Sequence, residues 1–178
     1  MDAVKKWFRF LSFALVLGLL AGFALPLTPA GAEASASNDS EAFLEHIMWL
    51  AQENKTLNSG PFQVGSLLDD VKKLWGEPDD DSGVAANYWD RNIRFIYDHD
   101  MKGDSITWVE DFDPALQNIT LEELLNTLGE PYQFLEAEGD YYITYLANDG
   151  HEITFVLNVP MEGQTSAVYL YYVKGHSQ

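Results

Sequence analysis

The chain has 178 residues, with 28 acidic against 10 basic side chains, a net charge of −18 at pH 7 and no cysteine. That balance repels phosphate backbones and anionic lipid headgroups, which argues against nucleic-acid binding and against membrane binding by the folded part. Without a thiol there is no disulfide, no cysteine nucleophile and no lipid-attachment cysteine.

Residues 1–32 are predicted to be a signal peptide. Lys5, Lys6 and Arg9 precede an apolar stretch from Phe10 to Phe23, Pro26 and Pro29 interrupt any helix, and Ala30-Gly31-Ala32 offers the small-residue pattern that signal peptidase cleaves. The competing reading is an uncleaved anchor, but the run from Phe10 to Leu27 is short for a span and contains Gly18, Gly22 and Pro26. Cleavage near Ala32 places the protein outside the cell or in the cell envelope. It also takes the net charge from −18 to −20, because Lys5, Lys6 and Arg9 leave together with Asp2.

Residues 33–38 are small and polar and read as a tether, leaving 39–178 as a single domain. Asp39-Ser40-Glu41 opens an amphipathic helix to about Asn54, with Phe43, Leu44, Ile47, Met48 and Ala51 on one stripe. Asn58-Ser59-Gly60-Pro61 closes it. Ser66 is placed to cap a short helix from Leu67 to Trp75, whose buried stripe is Leu68, Val71 and Trp75. Gly76 suits a left-handed C-terminal cap, and Pro78 prevents continuation.

Much of this is then said a second time. Asp69 to Pro78 returns as Glu122 to Pro131, each ending in Gly-Glu-Pro. Ile93-Arg94-Phe95-Ile96 returns as Ile153-Thr154-Phe155-Val156, and Ser105 to Val109 as Ser166 to Leu170. Self-similarity at this spacing predicts a duplicated supersecondary unit, with copies over about 39–116 and 117–174. In the second copy Thr120 and Glu123 make a capping box, and Leu121, Leu124, Leu125 and Leu128 form the stripe.

Strands are predicted after each helix. In the first copy Tyr88-Trp89, Ile93 to Tyr97 and Ser105 to Phe112 qualify; in the second, Tyr132 to Glu136, Tyr141 to Ala147, His151 to Val159 and Ser166 to Val173. Asp90-Arg91-Asn92 and Asn148-Asp149-Gly150 read as hairpin turns. The fold class is therefore α+β: tandem helix-plus-antiparallel-sheet repeats forming one curved sheet with helices on one side.

Strict alternation puts Ile93, Phe95, Ile106, Trp108, Ile153, Phe155, Ala167, Tyr169 and Tyr171 on one face. The other face takes Arg94, Ile96, Thr107, Val109, Tyr142, Thr144, Thr154, Val156, Val168, Leu170 and Tyr172. A face free of helices should be polar; this one is mixed and aliphatic in places. Either the N-terminal helix or a neighbouring subunit covers part of it, or it binds a partner. The candidate binding residues are Arg94, Tyr142, Thr144, Val168, Leu170 and Tyr172.

The chemistry of catalysis finds little support. The four histidines (His46, His99, His151 and His176) form no zinc motif. Asp98 to Asp104 begins like a calcium loop, but Lys102 occupies an oxygen-ligand position and Val109 the closing one, so a hairpin is the better reading and no metal or cofactor is expected. Asp79-Asp80-Asp81 reads as a solvated loop. There is no Gly-x-Ser-x-Gly elbow, no catalytic residue is nominated, and the enzyme case is weak.

Val64-Gly65-Ser66, Asp70-Val71-Lys72-Lys73 and Trp75-Gly76-Glu77-Pro78-Asp79, followed by Tyr88 and by Leu128 to Pro131, resemble the YjgB-like secreted domain-of-unknown-function family of Gram-positive bacteria. The resemblance runs from about Phe62 to Tyr172. It departs at Glu110-Asp111-Phe112, where family members tend to carry an Arg-Ser-Tyr-like segment, so no role of that arginine carries over. The helix, Gly-x-Pro stop and hairpins are also similar to the repeat of β-lactamase inhibitory protein, whose fold implies a concave sheet that grips a protein. The expected function is a secreted, non-catalytic binding module for a protein or cell-wall component; the alternatives are a secreted hydrolase with an acidic site and an inhibitor of an extracellular enzyme.

Overall fold

The computed structural model describes residues 31–100 and 103–175. The signal segment expected over residues 1–32 lies, up to residue 30, outside the described residues.

Helix α1 runs Gly31–Gln52. It begins ahead of the Asp39-Ser40-Glu41 opening and continues through 33–38, the stretch read as a tether. Leu44, Ile47 and Ala51, at i, i+3 and i+7, are fully buried, while Phe43 and Met48 pack at the margin. No helix among the described residues is long and apolar enough to cross a membrane.

Helix α2 spans Leu68–Trp75 and α3 spans Leu121–Leu128. The two start differently. In α3 the Thr120 hydroxyl accepts from the Glu123 N–H at 3.2 Å, and the Glu123 carboxylate accepts from the Thr120 N–H at 2.9 Å, a full capping box. In α2 the cap position is Leu67, which offers no side-chain bond. Ser66 instead accepts from the Gln63 N–H at 3.0 Å and closes the preceding turn, which corrects its assignment as the cap. Both helices stop at glycine with positive φ, Gly76 at 90° and Gly129 at 75°. Their ψ values of −176° and −153° are extended, so the caps lie in the glycine-only region rather than in the left-handed helical one.

Eight strands form one antiparallel sheet: β1 (Asp80–Asp81), β2 (Ala85–Tyr88), β3 (Ile93–Asp100), β4 (Gly103–Asp111), β5 (Gln133–Ala137), β6 (Asp140–Asn148), β7 (His151–Asn158) and β8 (Val168–Gly175). Their order is β1-β2-β3-β4-β8-β7-β6-β5, two four-stranded meanders joined along β4 and β8. The Trp89–Arg91 3-10 turn links β2 to β3 and ends on Asn92 at φ 54°, and Asp149-Gly150 links β6 to β7, as the turn residues predicted.

Two irregularities decide which side chain faces where. Ile96 pairs with Trp108 but Tyr97 pairs with Ile106, leaving Thr107 as an extra residue in β4. Val156 pairs with Leu170 but Leu157 pairs with Val168, leaving Tyr169 extra in β8. Each bulge shifts the alternation by one residue. Ile106 and Val109 therefore both enter the core, and Trp108 turns to the other face. Val168 likewise joins Tyr171 and Val173 in the core, fully buried, which corrects its assignment to the open face.

The core lies on one side of the sheet. Leu44, Ile47, Leu116 and Leu124 pack on Ile143, Phe155 and Tyr171, while Phe62, Leu68 and Val71 pack on Phe95, Ile106 and Val109. Val109 opposes Val173 across the β4–β8 seam, so both clusters occupy the same face, and the three α-helices among the described residues share it, leaving the other face free of described helices.

Candidate functional site on the helix-free face

Antiparallel register lines residues up in rows across a sheet. On the helix-free face one row crosses all eight strands: Asp80, Asn87, Arg94, Glu110, Tyr172, Thr154, Thr144 and Gln133. Its first four members are bonded in sequence. The Asn87 side-chain amide donates to Asp80 at 3.0 Å, the Arg94 Nε donates to the Asn87 Oδ1, and an Arg94 terminal nitrogen donates to Glu110 at 2.9 Å. Further along, the Thr144 and Thr154 hydroxyls share a bond of 2.8 Å. Two hydrogen-bonded polar segments, with Tyr172 between them, thus make a polar ribbon along the middle row of the face.

Apolar and aromatic rows flank it. On one side Ile96, Trp108, Lys174, Glu152 and Leu146 are aligned. The Trp108 and Tyr172 rings lie 4.4 Å apart, with the Lys174 ammonium 5.3 Å from the indole and 3.1 Å from Glu152. On the other side Leu170, Val156, Tyr142 and Leu135 are aligned. Trp89 and Phe112 close the end of that side, and the Arg94 guanidinium sits over both rings at 5.3 and 5.4 Å.

Burial is unexpectedly deep for a face without helices. Val156, Thr154, Thr144, Tyr172 and Glu110 are all buried. That desolvation pushes the Glu110 carboxyl above its ordinary value, against the lowering pull of Arg94. Burial also raises the Tyr142 hydroxyl, helped by Asp140 and Glu138. The Trp108 Nε1 is buried without a hydrogen-bond partner among the described residues.

Of the six candidate residues, Arg94, Tyr142, Thr144, Leu170 and Tyr172 share this face and Val168 does not. Trp108, Asn87, Glu110 and Lys174 belong to it and were missed. Trp108 was lost to the bulge; Asn87 and Glu110 carry no local signal, since only register sets them on either side of Arg94.

The acidic segments take structural roles. Asp79 accepts from the Trp89 N–H at 2.7 Å, and Asp80 and Asp81 form edge strand β1 rather than a solvated loop. Asp81 accepts from the Tyr97 hydroxyl, from the Gly83 N–H and from Lys72, and the tyrosine bond leads in holding its carboxyl below the usual range. Asp98 to Asp104 folds as the β3–β4 hairpin, with His99 opposite Asp104; Met101 and Lys102 lie outside the described residues. Among the described residues no three His, Cys, Asp or Glu side chains are grouped to hold a metal.

The family model of DUF4309, a domain of unknown function, matches residues 44–174. Among solved structures the chain is similar to the crystal structure of a DUF4309 family protein (YjgB) from Bacillus subtilis subsp. subtilis str. 168. The TM-score is 0.61 at 17% identity, covering 78% of this chain and 100% of that one. At that identity the likeness concerns the fold alone. No curated protein matches the chain.

Proposed function

The chain belongs to the DUF4309 family, and from that premise we propose that it is a secreted, non-catalytic binding module that holds a protein or cell-wall component against its helix-free face. The carrying observation is the face itself: the Trp108–Tyr172 pair and the Leu170, Val156, Tyr142 and Leu135 row border a prearranged polar ribbon. Tryptophan, tyrosine and arginine, present here as Trp108, Tyr172, Tyr142 and Arg94, are the residue types most enriched in binding hot spots. The Arg94–Glu110 pair is already formed, so its orientation costs nothing further on binding.

The scaffold behind this face is read as a duplicated unit, an arrangement similar to that of β-lactamase inhibitory protein. Several paired details support the reading. The Tyr88 hydroxyl donates to the Gly76 carbonyl at 3.0 Å, and Tyr145 donates to Gly129 at 3.2 Å. Leu67 bridges Ser105 as Thr120 bridges Ala167, so each helix is tied at its start to its unit's last strand. The bulges at Thr107 and Tyr169 fall in those same two strands.

The test is retention of the purified chain on cell-wall sacculi and on culture-supernatant proteins, comparing wild type with Trp108→Ala and Leu170→Asp. Retention that falls in both variants while their circular dichroism is unchanged supports the reading. Undiminished retention overturns the face assignment, and release of soluble wall fragments by the wild-type chain overturns the non-catalytic one. Sequencing the N-terminus of protein recovered from the supernatant tests the cleavage near Ala32.

A further inference from the structure

The two edges of the sheet are treated differently. Edge strand β1 is two residues long, both aspartate, and the surrounding loop is tied down by carboxylate bonds from the Gly83 and Trp89 backbone N–H groups and from the Asn87 side-chain amide. Short, charged edges of that sort discourage further pairing. Edge strand β5 is longer, and Glu136 is its one charged residue. It is five residues, Gln133-Phe134-Leu135-Glu136-Ala137, with no lysine, proline or bulge, and it pairs regularly with β6. Among the described residues no segment pairs with its outer side, so one row of N–H and C=O groups is left open.

The side chains along this edge are apolar on both faces. Phe134 opposes Ile143 on the helix side, and Leu135 opposes Tyr142 on the helix-free side; each is about half exposed, at 47% and 48%. Next to the start of β5 lies an open cavity of about 530 Å³, lined by Met48, Leu128, Tyr132, Tyr145 and Leu146, with Glu130 at its margin. It is large enough to seat one apolar side chain from an added strand.

Charge selects the occupant. Glu130, Glu136 and Glu138 border the edge, all exposed. From Gly103 to the C-terminus Lys174 is the only lysine or arginine, and it is already held 3.1 Å from Glu152. A second copy pairing through β5 would bring its own glutamates to the same edge, and two strongly acidic chains repel. We infer that β5 is a docking edge that takes an extended, basic segment of another protein as a ninth strand, by main-chain hydrogen bonding, with an apolar residue of that segment seated in the Met48–Tyr145 cavity. This goes beyond the role given to the helix-free face, and the two surfaces can fail separately.

The probe is a ten-residue peptide alternating valine and lysine, compared with its valine–glutamate counterpart and with a valine–lysine peptide N-methylated at alternate residues. Binding to the intact chain is followed by fluorescence anisotropy and by amide hydrogen exchange. The valine–lysine peptide should bind and protect amides within Gln133–Ala137, with affinity at least about tenfold above the glutamate peptide. N-methylation should abolish binding, and the double variant Glu136→Lys, Glu138→Lys should lose it, whereas Trp108→Ala should not change it. Equal binding of the N-methylated peptide would reduce the effect to charge attraction and overturn the inference. Protection confined to other strands would do the same. So would a concentration-dependent dimer by sedimentation whose β5 amides are protected without peptide.

Discussion

Asp111 and Asn58 are joined by two hydrogen bonds: the Asn58 backbone N–H donates to one carboxylate oxygen at 2.7 Å and the Asn58 side-chain amide to the other at 2.8 Å. Asp111 is completely buried and also accepts from the Asp113 N–H at 3.0 Å. Its register partner across the β4–β8 seam, Tyr171, accepts from the Leu57 N–H at 2.7 Å. The connection between α1 and α2 is therefore bolted to the strand pair that unites the two meanders.

Removing that carboxylate takes the acceptor from the half-buried Asn58 and Asp113 N–H groups and leaves the Asn58 side-chain amide only Asp113 at 3.2 Å. Asp111→Ala should cost about 3 kcal/mol by urea unfolding. Burial raises the Asp111 carboxyl above its ordinary value of 3.8. A raised folded-state value means the native state holds the proton more tightly, so the group's contribution is largest below 3.8 and declines as pH rises through the folded value. The stability gap between wild type and Asp111→Ala should widen on acidification from neutral pH and level off below that point.

Arg94 compensates Glu110 on the helix-free face, and its guanidinium is about a third open to solvent. Arg94→Ala should cost about 1–3 kcal/mol, less than breaking a fully buried pair. Without the arginine the Glu110 carboxyl rises further above 4.5, so the variant loses additional stability as pH rises through that higher value. Urea melts at about pH 4 and about pH 7 should show the larger loss at the higher pH.

Gly76 and Gly129 have nothing within 4 Å of where a Cβ would stand, so any cost of substitution there is conformational. Replacing either by valine should destabilise by about 1–3 kcal/mol in thermal melts. Asparagine, which relieves a left-handed helical cap, should do no better than alanine, because ψ at both positions is extended.

The two helix starts make opposite predictions for similar residues. Thr120→Ala removes the acceptor for the Glu123 N–H and should cost about 1 kcal/mol. Ser66→Ala touches only an exposed turn ahead of α2 and should change stability by less than about 0.5 kcal/mol. Paired thermal melts of the two variants distinguish these outcomes.

Much of the fold was legible because its signals are local. Thr120 and Glu123, the glycine stops, Asp90-Arg91-Asn92 and Asn148-Asp149-Gly150 each act within a few residues, and the structure uses them at the places read, with extended ψ at both glycines in place of the left-handed cap. Ser66 misled because a hydroxyl before an apolar stripe can close a turn as readily as cap a helix, and only the path of the chain through Gln63 decides which. Asp79 to Asp81 are exposed, as carboxylates in a row suggest, but the edge strand that two of them form was not legible, because their partners Trp89, Asn87 and Tyr97 come from later in the chain.

Residue order alone was sufficient for the presence and ends of the three helices, though not for the start of α1 at Gly31, and for most strand positions and the antiparallel α+β class, since these follow from periodicity and local turn residues. The membership of the two sheet faces, and with it the binding surface, required the assembled sheet. Thr107 and Tyr169 become supernumerary only when β4 and β8 pair with β3 and β7, and each extra residue turns every side chain beyond it to the opposite side. The same pairing buries Val168, exposes the Trp108 side of β4, and brings Arg94 between Asn87 and Glu110, an arrangement that exists only in three dimensions.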